Sequence, residues 1–401
     1  MLWVVLGFVL LAGTGFVLLR TPRVQTWLAQ RATAYLSDEL KTKVSVGKVS
    51  IRFFKSVVLK DFYIEDLHHD TLLFAKELVV NIKDFNYNKQ HLVVSQLKLD
   101  NARFYLMRYH GENHDNIQFI SDYFSSGKDT VASTSAWKIK LEKIRLQDVS
   151  FRHDVQDDTL QKAGVDFAHL DVKNINGNFD DISFVNDSVF LSIQKLRFID
   201  KSNFELTELS TIAKVAPDEM RLKELVIRTP HTDLHTDLTF RYDSMSAFDD
   251  FLTKINFNSD FRNSTVSFND IAFFASDLKG INQSVKLDGN FKGTVNRFKG
   301  KNVTINIGEH SFFNGNVAMT GLPAIEETYM DIQATDVQLN KKDIESIPLP
   351  PFNQQNHVAI PDNLVSLGKV DFKGKFTGLS AILLLMETSQ QTLDSFHPTS
   401  M

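Results

Sequence analysis

Alternation of apolar and polar residues is the feature that most constrains the fold of this chain. From Val44 to Phe376 most apolar residues recur at every second position. Successive side chains of a β-strand point to opposite faces, so this period predicts strands with one apolar face. Turn-forming pairs such as Asp288-Gly289 and Asn314-Gly315 punctuate the pattern. The sequence therefore predicts a mainly β protein.

A short template recurs within the strand region: two alternating apolar residues, a small polar residue, and a second apolar pair. The clearest copies are Val57-Leu59-Asp61-Phe62-Ile64, Leu97-Leu99-Asn101-Ala102-Phe104 and Ile144-Leu146-Asp148-Val149-Phe151. Weaker copies are Leu170-Val172-Asn174-Ile175 and Leu225-Ile227-Thr229-Pro230. Irregular repetition of strand units is typical of an elongated sheet whose neighbouring units bury each other's apolar faces.

Four residues of the template are candidates for a continuous apolar surface. Ile64, Phe104 and Phe151 stand at the same late position of the template, and Phe62 lies two residues before Ile64. We expect the four to share one face and to line it. The chain has 33 Phe residues, whose rings carry no polar group and so belong in a core or on an apolar surface. An ordinary packed core is the alternative at each position.

The N-terminal segment is a predicted membrane anchor. Residues 2–19, from Leu2 and Trp3 to Leu19, carry no charge and are followed by Arg20. A helix of this length spans about 27 Å, close to the hydrocarbon core of a bilayer. A cleaved signal peptide is the alternative, but a basic start, a shorter core and a small-residue cleavage site are missing. The flanking basic residues lie only on the C-terminal side, which by the positive-inside rule would place the body in the cytoplasm.

The sequence divides into an anchor and five further predicted regions. Residues 21–43 form an amphipathic helix, which could pack on the sheet or lie at the membrane surface; packing is favoured. The others are a sheet region at 44–340, a proline-containing connector at 341–366, a terminal strand at 367–378 and an atypical tail at 379–401. We expect the tail to be disordered and the chain to be a truncated or frameshifted product.

Residues with catalytic or ligand-binding chemistry are few. His231, Asp233, His235 and Asp237 alternate and would project from one face of a strand. Same-face neighbours lie about 7 Å apart, so one strand cannot close a tetrahedral zinc site, and the solvated outer face of a sheet is the favoured interpretation. Cysteine is absent, and no nucleophile or phosphate-loop motif occurs. We predict a protein that is not an enzyme, with no catalytic residues, cofactor or metal. A net charge of −5 argues against nucleic acid.

An ordered set of segments carries a resemblance to a known family. The set comprises the apolar N-terminal segment, the helix starting Val24-Gln25-Thr26-Trp27-Leu28, Val44-Ser45-Val46-Gly47-Lys48-Val49, Leu59-Lys60-Asp61-Phe62, Ile360-Pro361-Asp362-Asn363-Leu364 and Gly368-Lys369-Val370-Asp371-Phe372. In this order the segments resemble the N-terminal region of the AsmA-like/TamB superfamily, in the form of the long Bacteroidetes TamB-type proteins.

The resemblance implies an inner-membrane anchor, a body in the periplasm and an antiparallel sheet curled into a half-pipe with an apolar groove. Phospholipid is the implied partner, held or conducted between the inner and outer membranes in support of outer-membrane biogenesis. An outer-membrane assembly partner would be engaged through a C-terminal region that this chain lacks. The alternative is a structural tether or assembly factor for outer-membrane β-barrel proteins that offers sheet edges by strand addition, without lipid conduction.

Overall fold

The computed structural model describes residues 21–52, 55–86, 88, 91–125, 138–161, 164–275, 278–324, 327–348, 357 and 369–379. The predicted anchor residues Leu2, Trp3 and Leu19, and the predicted tail after Leu379, lie outside the described residues. The fold is mainly β, with 61% strand and few helices, as the alternation predicts. The chain divides into two compact units: unit 1 comprises residues 1–183 and 191–205, and unit 2 comprises 184–190 and 206–401.

Helices are a minor part of the structure, and α1 (Pro22–Leu40) is the longest of those described. Its Pro22 suits the first turn, where the missing N–H costs nothing, and Lys41 ends it in a left-handed conformation with φ 57°. The others are α2 (Gln118–Ser125), the 3₁₀ helix η1 (Met245–Asp250), α3 (Phe251–Lys254), α4 (Phe268–Ile271) and α5 (Lys341–Glu345). Over the described ranges, no helix is both long and apolar enough to cross a bilayer.

Nine strands lie wholly or mostly in unit 1, and their pairing is mixed. They are β1 (Val44–Ser45), β2 (Lys48–Arg52), β3 (Ser56–Glu65), β4 (Thr71–Asn86), β5 (His91–Arg108), β6 (Lys138–Leu141), β7 (Ile144–Val155), β8 (His169–Val185) and β9 (Ser188–Asp200). Strands β2 to β5 pair antiparallel in chain order, as do β7 and β8. However, β5 pairs parallel with both β6 and β7, so the prediction of a purely antiparallel sheet is wrong here. A long segment containing α2 separates β5 from β6, and a crossover of that length permits parallel pairing.

Helix α1 covers the edge of the first strands with polar side chains. The Thr26 hydroxyl accepts a hydrogen bond from the Val49 N–H (3.1 Å) and donates one to the Val49 carbonyl (3.3 Å). Ser37 Oγ likewise accepts from the Val44 N–H at 2.8 Å and contacts the Val44 carbonyl at 3.1 Å. The helix therefore satisfies backbone groups that an open strand edge would expose. The predicted amphipathic helix thus packs against β1 and β2.

Unit 2 is an antiparallel succession of strands. Each strand from β10 to β17 pairs with the next along the chain. The strands are β10 (Glu205–Val215), β11 (Glu219–Arg228), β12 (Asp233–Arg241), β13 (Asn256–Ser267), β14 (Ser284–Gly293), β15 (Arg297–Ile307), β16 (Ser311–Thr320), β17 (Tyr329–Asn340) and β18 (Lys369–Leu379). The pairs Asp288-Gly289 and Asn314-Gly315, expected at turns, lie within β14 and β16.

A buried carboxylate anchors α5 to the turn between β15 and β16. Asp343 is 8% exposed and accepts hydrogen bonds from the backbone N–H groups of Glu309 (3.3 Å) and His310 (2.8 Å). Burial acts to raise the pKa of Asp343, but the backbone hydrogen bonds outweigh it, so the pKa lies below its ordinary value. Gly308 has φ +61°, and a Cβ there would collide with the Asp343 side chain. This turn therefore requires glycine.

Candidate functional site

Three of the four alternating residues, Asp233, His235 and Asp237, form side-chain contacts at the surface instead of a ligand site. Asp233 Oδ1 lies 2.9 Å from His235 Nε2 and 3.0 Å from Arg228 Nε. Asp237 Oδ2 accepts from Arg262 Nη2 at 2.8 Å. In the described part of the chain, no group of three or more His, Cys, Asp or Glu residues could hold a metal ion. The structure gives these side chains no shared ligand geometry.

A buried polar network at the turn after β3 was not found from the sequence. Asp66 is fully buried; its Oδ2 accepts from Tyr109 Oη and Asn116 Nδ2, both at 2.7 Å, and its Oδ1 accepts from the N–H groups of His68 and Asp70, both at 2.9 Å. Burial, followed by hydrogen bonds to Asp66 and Asp70, raises the pKa of Tyr109, so its hydroxyl stays a donor. Both carboxylate oxygens of Asp66 accept hydrogen bonds, so this network stabilises the loop.

The four predicted apolar residues lie on one face of unit 1. Ile64 pairs with Leu73, Leu73 with Phe104, and Phe104 with Phe151. Directly paired residues project to the same side of a sheet, and the Phe104 and Phe151 ring centroids are 5.9 Å apart. Phe62 lies two residues before Ile64 on β3 and so shares its face. The cross-strand register thus joins residues from three copies of the template.

Further rows extend this surface over β3, β4, β5, β7 and β8. Ala75, Ala102 and Val149 form a buried cluster, and Leu78, Leu99, Leu146 and Ile175 pack against it. We call the whole surface the apolar face of unit 1. Its residues are Leu59, Phe62, Ile64, Leu73, Ala75, Leu78, Leu99, Ala102, Phe104, Leu146, Val149, Phe151, Val172 and Ile175.

A left-handed residue in the middle of the strand keeps the two halves of β7 on this face. Leu146 and Val149 are three residues apart, a spacing that places side chains on opposite faces of a regular strand, yet both belong to one cluster. Between them Asp148 has φ 51°, and the register with β8 shifts, as in a β-bulge. The equivalent polar positions of the first four template copies are all left-handed: Asp61 (51°), Asn101 (49°), Asp148 (51°) and Asn174 (55°).

The fifth template copy was aligned wrongly. It placed the polar position at Thr229, but β11 ends at Arg228 and the left-handed residue of this strand is Glu224, with φ 51°. Leu222 and Leu225 flank Glu224 and pair with Leu238 and Thr236 across a register shift. Glu seldom adopts the left-handed conformation, so the residue type at position 224 did not indicate it.

Side-chain carboxyl or amide oxygens of the neighbouring strand accept the N–H of several left-handed residues. The pairs are Asp148 N–H to Asn176 Oδ1 (3.2 Å), Glu224 N–H to Asp237 Oδ1 (2.7 Å), Asn263 N–H to Asp288 Oδ1 (2.8 Å) and Asn302 N–H to Asn316 Oδ1 (3.0 Å). These N–H groups depart from the regular ladder and need another acceptor. Asn and Asp within strands therefore have a structural role here, and Asp237 is one of the residues first considered as a metal ligand.

The opposite face of unit 1 carries charged pairs beside apolar residues such as Val58, Val79 and Phe74. Lys60 and Glu77, which are paired across β3 and β4, lie 4.0 Å apart, and Arg145 Nη2 lies 2.7 Å from Asp180 Oδ1. Burial acts to raise the pKa of Asp180, but the guanidinium of Arg145 outweighs it and holds the pKa below its ordinary value. The two faces of these strands therefore differ in charge, because the residues that make up the apolar face of unit 1 include no charged one.

Much of the apolar face retains partial exposure. Leu73, Phe104 and Phe151 are half-buried although each has strands on both sides. Within the described part of the chain, the helices that pack on strands do so mainly on β1, β2, β13 and β17. Ile51, which pairs with Val57 at the margin of this surface, is 41% exposed. Partly exposed apolar side chains thus continue from strand to strand across this surface.

Unit 2 has a second apolar surface of its own, rich in Phe. Phe291, Val303 and Val317 are buried at its centre. The Phe291 ring meets the Phe261 ring edge to face at a centroid distance of 5.7 Å, and the Phe298 ring at 6.0 Å. The residues that pack around the centre are Phe257, Phe261, Leu287, Phe298, Ile305, Phe313 and Ile332. Many of the Phe residues of the sequence are thus accounted for by sheet surfaces.

The chain matches no protein-family model, no curated protein and no solved structure.

Proposed function

We propose that this chain is an inner-membrane-anchored periplasmic protein of the AsmA/TamB type whose apolar sheet face holds or conducts phospholipid acyl chains. The observation that carries the proposal is the apolar face of unit 1, built from paired rows such as Ile64, Leu73, Phe104 and Phe151 and left partly exposed. An acyl chain needs an apolar surface shielded from water on one side, and its headgroup can remain in solvent.

The energetics of such binding need no specific contacts. Each methylene removed from water contributes about 0.8 kcal/mol, so a few methylenes lying across several rows provide useful affinity. The left-handed residues support the proposal, because in β3, β5, β7 and β8 they keep apolar side chains on one face where a regular strand would turn half of them away. The proposed function is binding of lipid, without enzymatic activity.

A second candidate function is a tether or assembly factor that adds strands of β-barrel clients. The observation that favours it is β18, the last strand of the described residues, which pairs antiparallel with β17 along its length. An unpaired edge is a template for strand addition. This candidate requires backbone pairing at β18 and makes no use of the apolar face of unit 1.

Photo-crosslinking distinguishes the two candidates. A photoreactive residue at Phe104 or Phe151 in the full chain, extracted from the membrane in mild detergent, is expected to label phospholipid. The matched control is the same residue at Ser150, the neighbour of Phe151 that projects from the opposite face. Labelling at Phe151 but not at Ser150 supports the lipid surface. Absence of lipid adducts at both Phe positions in folded protein contradicts it, and protein adducts at β18 then favour the assembly factor.

Charge substitutions give an independent test. Phe151→Asp is expected to reduce co-purified phospholipid by about a hundredfold or more, because an unpaired carboxylate on an apolar surface costs several kcal/mol when an acyl chain covers it. Ser150→Asp places the same charge on the opposite face and is expected to leave lipid unchanged. Circular dichroism of both variants separates loss of binding from loss of the sheet.

A further inference from the structure

A cavity lies between α1 and the turn that joins β1 to β2 in unit 1. Its volume is about 720 Å³, and its lining includes Arg23, Trp27 and Gln30 of α1 together with Gly47 of the turn and Lys48 at the start of β2. A volume of this size falls in the range of small-molecule sites, about 300–1,000 Å³. The cavity is distinct from the apolar face of unit 1 on β3 to β8.

The lining of the cavity is basic and rich in hydrogen-bond donors. Arg23 and Lys48 contribute two positive charges, and the described residues that line the cavity include no Asp or Glu, although the Asp61 carboxylate lies beside Gly47. Neither cation forms an ion pair with a carboxylate in the part of the chain that the structure describes. Guanidinium and ammonium groups are the side chains that bind phosphate oxygens, and the Trp27 indole adds an N–H donor. This chemistry selects an anion of phosphate type.

The helix presents large apolar side chains to solvent beside the cavity. Trp27 is 61% exposed, Leu28 45% and Tyr35 61%. At 100° per residue these three lie on one side of α1 with Arg23 and Arg31. Trp and Tyr next to Arg are typical of residues at the level of lipid headgroups. The acidic residues Asp38 and Glu39 follow only at the far end of the helix, so its basic part adjoins the cavity.

The sequence before α1 indicates which kind of phosphate compound the cavity would bind. Residues 2–19 carry no charge, and α1 begins at Pro22, three residues after Leu19. If that segment enters a bilayer, the start of α1 and the cavity lie at the headgroup layer. We propose that the cavity binds the headgroup phosphate of an anionic phospholipid while Trp27, Leu28 and Tyr35 rest in the bilayer interface. The proposal rests on the membrane anchoring of the proposed function.

The test uses a photoreactive residue at Gln30 in the full chain, reconstituted in vesicles of phosphatidylcholine with or without an equal part of phosphatidylglycerol. We expect phosphatidylglycerol adducts in excess of phosphatidylcholine adducts. The double variant R23Q/K48Q should reduce them about tenfold or more, because each basic residue near an anionic surface contributes roughly a fivefold effect. The matched control R52Q/K55Q removes the same charge from two exposed residues outside the cavity and should change little.

Three outcomes overturn the proposal. Equal losses in R23Q/K48Q and R52Q/K55Q indicate a general charge effect. Adducts in proportion to vesicle composition indicate no headgroup site. Loss of labelling on addition of inorganic phosphate, which we expect to have no effect, indicates a site for free phosphate instead. Failure of the proposed function is seen separately, as absence of lipid adducts at Phe151, while failure of anchoring is seen as release of the chain from vesicles at alkaline pH.

Discussion

The left-handed residue Asp148 offers a direct test of how the strands keep one apolar face. Asp148 has φ 51° and an exposed side chain, between Leu146 and Val149 of one cluster. A β-branched residue is strained in this conformation by about 1–2 kcal/mol, whereas Asn adopts it readily. Asp148→Val should therefore destabilise β7 locally by about 1–2 kcal/mol, while Asp148→Asn, which removes the same charge, should be nearly neutral.

Hydrogen–deuterium exchange of peptides from β7 and β8 measures this difference, because it reports the free energy of local opening. The expected effect of Asp148→Val is about 5- to 30-fold faster exchange, since 1.4 kcal/mol corresponds to a factor of ten. Ser150→Val places the same side chain two residues further along the strand, at a position without a left-handed backbone. It should not accelerate exchange, because Val is favoured in strands. Equal protection in Asp148→Val and Asp148→Asn would refute the reasoning.

Three further predictions concern polar contacts. Thr26→Val removes both hydrogen bonds to Val49 and should speed exchange at β2 by a factor corresponding to about 1–2 kcal/mol, with β8 as an unaffected reference. Tyr109→Phe removes one donor to the buried Asp66 carboxylate and should lower the loop's opening free energy by about 1–3 kcal/mol; unchanged exchange there would contradict the bracing role. Asp343 has a folded pKa below its ordinary 3.8, so its stabilisation is present above that pH and is lost as pH falls through the folded pKa. Exchange at α5, corrected for its intrinsic pH dependence, should rise in that acidic range, and D343N should abolish the pH effect.

The four predicted apolar residues show how much of the side-chain placement a local sequence pattern can predict. The template aligned Ile64, Phe104 and Phe151 correctly, because each follows a small polar residue at the same spacing. In the sheet, Phe104 pairs directly with Phe151, and Leu73 lies between Phe104 and Ile64. The pattern also identified the polar residue itself. It did not identify its left-handed conformation, although Asn and Asp at that position are the residue types that tolerate φ above zero.

Other features depend on partners far along the chain. Asp66 meets Tyr109 and Asn116 at separations of 43 and 50 residues, and no periodicity signals such a pairing. The acceptor for the Asp148 N–H is Asn176, 28 residues away. Each of these contacts exists only after the strands have taken their register, so a residue type alone does not predict it.

The sequence by itself determined a mainly β chain with an apolar side to its strands, because side-chain alternation is a local consequence of extended backbone geometry. Tertiary structure alone decided that β5 and β7 run parallel and that α1 closes the edge of β1 and β2. It also decided that left-handed residues keep both halves of β3, β5, β7 and β8 on the apolar face. Strand direction and edge protection depend on which distant segments come together, and that choice is made by packing and hydrogen bonding over the whole unit.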